Sequence, residues 1–109
     1  LQMLDISDNY FNEQNIQVLV GAWQANSSLR EVDLINSELT WSGVLRLIID
    51  LHNAHISDRI KRIDFGANPY IETVNMLLQQ ENSPEETEFL QFIQNGILTG
   101  TDITQYASI

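Results

Sequence analysis

Three aspartates, Asp5, Asp33 and Asp64, recur at the same position of a pattern that repeats along this 109-residue chain. The units start 28 and then 31 residues apart, at Leu1, Leu29 and Ile60, a period typical of solenoid proteins. Within each unit the apolar residues alternate with polar ones, which predicts a short strand with one buried face. Parallel strands lie about 4.8 Å apart, so the three carboxylates should form a column on the exposed face. Stacked like charges repel, and a partner's Lys or Arg could neutralise them.

The exposed positions beside this column complete a predicted partner-binding strip. Its further members are Met3, Ser7, Glu31, Ile35 and Arg62. We expect charge reversal at Asp33 and Asp64 to weaken partner binding and to leave thermal stability roughly intact. A structural role for the aspartates within the repeat is the alternative.

Other residue patterns that could bind metal are incomplete. His52 and His55 are three residues apart, but no carboxylate pair or cysteine completes a site. The polar run that begins at Asp5 resembles the start of a calcium-binding loop. Tyr10 stands where such a loop needs glycine, and Ile16 stands where it needs an acid. We therefore predict no metal site.

Catalytic patterns are missing from the sequence as well. It contains no set of nucleophile, base and orienting residue, and no glycine-rich phosphate loop. We predict that the chain is not an enzyme, has no catalytic residues and needs no cofactor.

The charge balance restricts the classes of partner. Fifteen acidic residues against five basic ones give a net charge of −10, and no Lys or Arg follows Arg62. Phosphate groups require cationic neutralisation, so nucleic acid and anionic membranes are disfavoured. The charge favours either simple solubility or a partner protein with a basic surface. The chain has no cysteine, which gives secretion no support and favours an intracellular, cytoplasmic setting.

Each strand is followed by a turn and then by a helical period. Asn9, Ser37 and Asn68 occupy the turn position, where a side chain can bond to backbone groups that the turn leaves unpaired. Serine is shorter and should bond to fewer groups. Asn12 and Thr40 are predicted N-caps of the first two helices.

Two tryptophans could act as interface anchors. Trp23 lies on the apolar stripe of the first helix, which predicts a core position, whereas Trp41 precedes a helix start and should be more open.

Three runs carry a resemblance to a known family: Leu1–Asn9, Ala22–Ser28 and Ser42–Val44. They resemble the ribonuclease-inhibitor-like class of leucine-rich repeats, over about residues 1–80. The resemblance implies an α/β solenoid of three β-α units, with a parallel sheet on the concave face and helices on the convex face. It also implies protein binding, since this class provides recognition scaffolds in inhibitors, small-GTPase activators, innate immune receptors and actin regulators. Aspartate is frequent at the Asp5 position in this class, which favours the structural alternative for the column.

The predicted organisation has repeats over 1–80, in units of about 1–28, 29–59 and 60–80, and a C-terminal cap and tail over 81–109. Ser83 as N-cap, Pro84 and Glu86 predict a capping helix that ends near Gly96. A docking helix for a partner is the alternative for that helix, and 97–109 is predicted to be an irregular strand or a tail.

These features together predict a non-catalytic protein–protein interaction scaffold, the C-terminal part of a longer repeat array. The alternatives are a regulatory domain of a larger enzyme or GTPase activator, and a purely structural array cap.

Overall fold

A computed structural model describes residues 1–107 of the chain. Within them the chain forms a four-stranded sheet and five α-helices. The strands are β1 (Met3–Asp5), β2 (Glu31–Asp33), β3 (Arg62–Asp64) and β4 (Ile97–Leu98). The helices are α1 (Glu13–Ala25), α2 (Trp41–Asn53), α3 (Tyr70–Leu78), α4 (Pro84–Ile93) and α5 (Gly100–Tyr106), and a 3₁₀ turn covers Ser57–Arg59. None of the helices in this described range is long and apolar enough to cross a bilayer.

Helix starts follow from polar capping residues. Asn12 caps α1 and exchanges side-chain bonds with Asn15 in a capping box, and the Thr40 hydroxyl accepts from the Gly43 amide at the start of α2. Ser83 caps α4, with Pro84 in the first turn. The predicted N-caps are confirmed.

The sheet has the strand order β1-β2-β3-β4. β1, β2 and β3 are parallel neighbours, and the three aspartates are Cα partners of one another across them. β4 runs antiparallel to β3, with Leu98 opposite Ile63 and Ile97 opposite Asp64.

The prediction of a leucine-rich-repeat solenoid with one C-terminal capping helix is wrong. The molecule is a small compact α/β domain with a mixed sheet. A helix does form after residue 83, but the segment beyond it folds back as the antiparallel strand β4 and the helix α5, where an irregular strand or a tail was predicted. The reversal occurs at Gly96, whose φ of 75° is the left-handed conformation that glycine adopts without strain. The radius of gyration is 13.3 Å, close to the ~13 Å expected for a compact chain of this size.

One hydrophobic core holds the layers together. It includes the fully buried side chains of Trp23, Phe65 and Tyr70, together with the inward residues of β2, β3 and β4. Trp23 is a core residue as predicted, and its indole nitrogen donates to the Leu29 carbonyl at 3.0 Å. Helix α5 packs against the 3₁₀ turn and against α2, so the C-terminal segment wraps around this core. The last residues of the predicted tail, 108–109, lie outside the described part.

Candidate functional site

The predicted strip lies on the solvent-exposed face of β1, β2 and β3, which we call the sheet face. One row across the strands is Met3, Glu31 and Arg62, and the next row is Asp5, Asp33 and Asp64. The strand residues between these rows, Leu4, Val32 and Ile63, point into the core. Ser7 and Ile35 lie two residues beyond the ends of β1 and β2 and are half-buried. The structure thus brings all eight predicted residues to one face.

The aspartates form hydrogen bonds within their own turns. Asp5 Oδ1 accepts from the Ser7 amide at 2.8 Å and from the Ser7 hydroxyl at 2.5 Å. Asp33 Oδ1 accepts from the Ile35 amide at 2.9 Å. Both are bonds to the residue two positions on, the pattern of an Asx turn. The Ser7 hydroxyl, and then its amide, lowers the pKa of the exposed Asp5 carboxyl from its ordinary value of 3.8.

Lys and Arg side chains form ion pairs with only two of the acids on the sheet face. Arg62 Nη2 lies 2.9 Å from Asp64 Oδ2, and Lys61 Nζ lies 3.8 Å from Glu31 Oε1. The cationic groups are largely exposed, so such pairs contribute only ~0–1 kcal/mol each. Among the described residues no cation pairs with Asp5 or Asp33. Unpaired negative charge is therefore concentrated on β1 and β2.

Apolar side chains accompany that charge. Met3 is 43% exposed in the first row of the sheet face, and Ile35 is half-buried beyond the row of aspartates. An exposed apolar side chain among acids offers both contact area and charge to a partner.

The predicted turn residues differ greatly in their surroundings. Asn68 is buried, and its Oδ1 accepts from the amides of Ser37 (2.7 Å) and Leu39 (3.0 Å). Its Nδ2 lies 2.7 to 3.1 Å from the carbonyl oxygens of Leu34, Phe65 and Gly66. This amide links the turn after β3 to the turn after β2.

Ser37 and Asn9 form fewer links. The buried Ser37 hydroxyl donates to the carbonyl of Ile6 at 3.0 Å, with the Ile35 carbonyl at 3.3 Å. Asn9 is exposed and donates only within its own turn, to the carbonyls of Ile6 and Ser7. The three residues therefore have structural positions in the turns and do not project from the sheet face.

The structure also contains an apolar cavity that the sequence analysis missed, in the helical layer. We call it the helical pocket; its volume is about 200 Å³. Its walls come mainly from α2, α4 and α5, with Leu77 of α3 and Asn82 at the edge. Trp41, Leu45, Phe89 and Tyr106 are prominent in the lining, and Glu86 is the charged residue among the described lining. Trp41, which the sequence indicates as an open interface anchor, was the one signal, but its partners on α4 and α5 are far away along the chain.

The two histidines and Trp41 lie outside the sheet face. His52 and His55 are exposed at the C-terminal end of α2, and residues 1–107 contain no group of three or more metal-binding side chains. Trp41 is half-buried as predicted, and it lines the helical pocket.

Comparisons with known proteins add no relative. No protein-family model, no curated protein and no solved structure matches this chain. The arrangement of the sheet face and of the helical pocket is therefore the basis for any functional inference.

Proposed function

We propose that this chain is a non-catalytic protein-binding domain and that the sheet face contacts a basic surface of a partner protein. The observation that carries the proposal is the pairing pattern of the acids. Asp64 and Glu31 have cationic neighbours, whereas Asp5 and Asp33 have none among the described residues. A partner's Lys or Arg would supply the missing charge.

We expect this charge to raise the association rate more than it raises the equilibrium affinity. Complementary charges steer association and select partners, while exposed ion pairs add little net affinity. The apolar contact must therefore come from Met3 and Ile35, which lie beside the unpaired carboxylates. The absence of cysteine from the chain is what favours an intracellular partner.

Photo-crosslinking tests the location of the interface. A photoreactive amino acid is placed at Met3 or at Ile35, and the crosslinked proteins of a whole-cell extract are identified. The matched control places it at Val18, which is 70% exposed on α1 and does not belong to the sheet face. We expect a discrete basic protein to be captured from the first two positions and not from Val18. Equal capture from all three positions would exclude the sheet face as a specific interface.

A second measurement uses the captured partner in purified form. Asp33→Asn removes the charge but keeps an oxygen that accepts from the Ile35 amide. We expect slower association, an affinity several-fold weaker and an unchanged Tm. An unchanged affinity at low ionic strength would refute the role of the unpaired carboxylates.

A further inference from the structure

The helical pocket has the size of a receptor for one large apolar side chain. Its volume of about 200 Å³ exceeds the ~150 Å³ of an engineered apolar cavity that accommodates benzene. Ile49 is 44% exposed at this site, so the pocket is accessible from solvent. It lies among the helices, separate from the sheet face.

The walls of the pocket are fixed by aromatic packing. The ring of Phe89 lies 6.0 Å from that of Trp41 and 5.0 Å from that of Tyr106, both in tilted arrangements. Phe92 stacks on Tyr106 at 5.0 Å. Such pairs hold α4, α5 and the start of α2 in register. A ligand would therefore meet a preformed site and would lose little affinity to ordering it.

The surroundings of the pocket are negatively charged. Glu86 lines it directly, and Glu85 and Glu88 are exposed on the same helix. Desolvation raises the pKa of the Tyr106 hydroxyl, and the negative charges of Glu88 and then Asp102 raise it further. The sequence has no Lys or Arg after Arg62, so α4 and α5 supply no compensating cation.

We propose that the helical pocket binds a segment of a partner protein in which one aromatic or branched apolar side chain is flanked by Lys or Arg. The apolar side chain fills the space between Trp41, Phe89 and Tyr106, and the flanking cations approach Glu86. The charge of the surroundings selects this occupant over an acidic or neutral peptide. This site goes beyond the proposed role of the sheet face and does not depend on it.

Tryptophan fluorescence tests the proposal on the intact chain. Trp23 is fully buried in the core, so a change in emission on binding reports Trp41, and a Trp41→Phe variant verifies that assignment. The probe is a short peptide with one phenylalanine among lysines. The comparison peptides replace the phenylalanine by alanine or the lysines by glutamates. We expect saturable binding of the first peptide alone, at least tenfold tighter than either comparison peptide.

Matched variants locate the binding. Ile49→Asn makes one exposed lining position polar, and the control Val18→Asn makes the same change at an exposed position on α1. We expect the first to weaken peptide binding several-fold and the second to leave it unchanged. Glu86→Gln should weaken binding and reduce its salt dependence, whereas Asp33→Asn on the sheet face should do neither.

Several results would overturn the proposal. Equal binding of the alanine peptide would show charge attraction without use of the pocket. Binding of indole without binding of the peptide would indicate a small-molecule site, and a Trp41 emission that depends on protein concentration alone would indicate a second copy as occupant. Peptide binding that survives Ile49→Asn unchanged would place it elsewhere.

Discussion

Truncation of the buried amide of Asn68 should destabilise the domain more than its position in a turn suggests. In the Asn68→Ala variant, the amides of Ser37 and Leu39 lose the oxygen that accepts from both. A buried polar group left unsatisfied costs about 1–3 kcal/mol, so two such amides predict a loss of about 2–6 kcal/mol. That is a large fraction of the ~5–15 kcal/mol that stabilises a typical domain.

Asn9→Ala is the matched control, because Asn9 occupies the same turn position in the first unit but is exposed. Its side chain donates to two carbonyls of its own turn, and water can replace those bonds. We expect a change within about 0.5 kcal/mol, as for most surface substitutions.

Urea unfolding of the two variants measures the difference. We expect Asn68→Ala to lower the urea midpoint strongly and the Tm by about 8 °C or more, since 1 kcal/mol corresponds to ~4–8 °C in domains near this size. A loss below about 1 kcal/mol, or one equal to that of Asn9→Ala, would refute the argument, because it would show that water enters the turn and satisfies the two amides.

Two further changes probe the C-terminal segment. A Cβ added at Gly100 would lie 1.7 Å from the Ser57 carbonyl oxygen. Gly100→Ala should therefore displace α5 and lower the free energy of unfolding, measured in urea, by at least ~1–3 kcal/mol. The control Gly21→Ala has open space in α1 and should stabilise by ~0.5–1 kcal/mol; equal effects would contradict the close approach of α5. Burial, followed by the charge of Asp64, raises the pKa of Tyr70 above its ordinary 10.0. The protonated hydroxyl therefore makes its full contribution to the free energy of unfolding below pH 10.0, and this contribution is lost as the pH rises through the folded-state pKa. Tyr70→Phe should cost about 1 kcal/mol near neutral pH through the lost bond to the Ile93 carbonyl and should reduce the loss of stability above pH 10.0, measured by urea unfolding across alkaline pH; an unchanged alkaline slope would refute that role.

The local elements of residues 1–80 could be predicted because their signals are local. The alternation around Val32 and Ile63 identifies strands with one buried face, and both residues are buried between exposed or half-buried neighbours. The N-caps at Asn12 and Thr40 precede apolar stripes at helical spacing. Equal positions in successive units then gave the register of β1, β2 and β3.

The architecture could not be obtained in the same way, because it depends on the direction of one two-residue strand. Ile97 and Leu98 would fit a parallel or an antiparallel partner equally well. The direction is set by the left-handed turn at Gly96, whose carbonyl accepts from the Phe65 amide at 2.7 Å. Such a contact between residues 31 positions apart has no signature in the local pattern, and the resemblance to a repeat family favoured a solenoid closed by a capping helix.

Backbone conformation in the turns is repeated more faithfully than the side chains. Asp8, Asn36 and Ala67 precede the three turn residues, and all have φ between 53° and 60°. Asp and Asn tolerate this left-handed region better than alanine does. The equivalence of Asp8 and Asn36 was visible in the sequence, but Ala67 conceals the third member, so the shared conformation was not predicted.

The helical pocket was beyond local reasoning for a different reason. Trp41, Phe89 and Tyr106 come from three helices, and no local pattern indicates that the three side chains meet. The chain reversal at Gly96 brings α5 onto α2 and thereby creates the cavity. The pocket therefore could not be predicted while the position of α5 was unknown.

The hydrogen bonds of the sheet face change how its function must be tested. Charge reversal at Asp33 was expected to leave stability intact, but the carboxylate accepts from the Ile35 amide. A lysine there would remove the acceptor as well as the charge, and the two effects on binding would be mixed. Asparagine separates them because it retains the carbonyl oxygen. The same reasoning applies to Asp5, which holds the turn at Ser7, so an effect of asparagine at either position on partner binding reports charge alone.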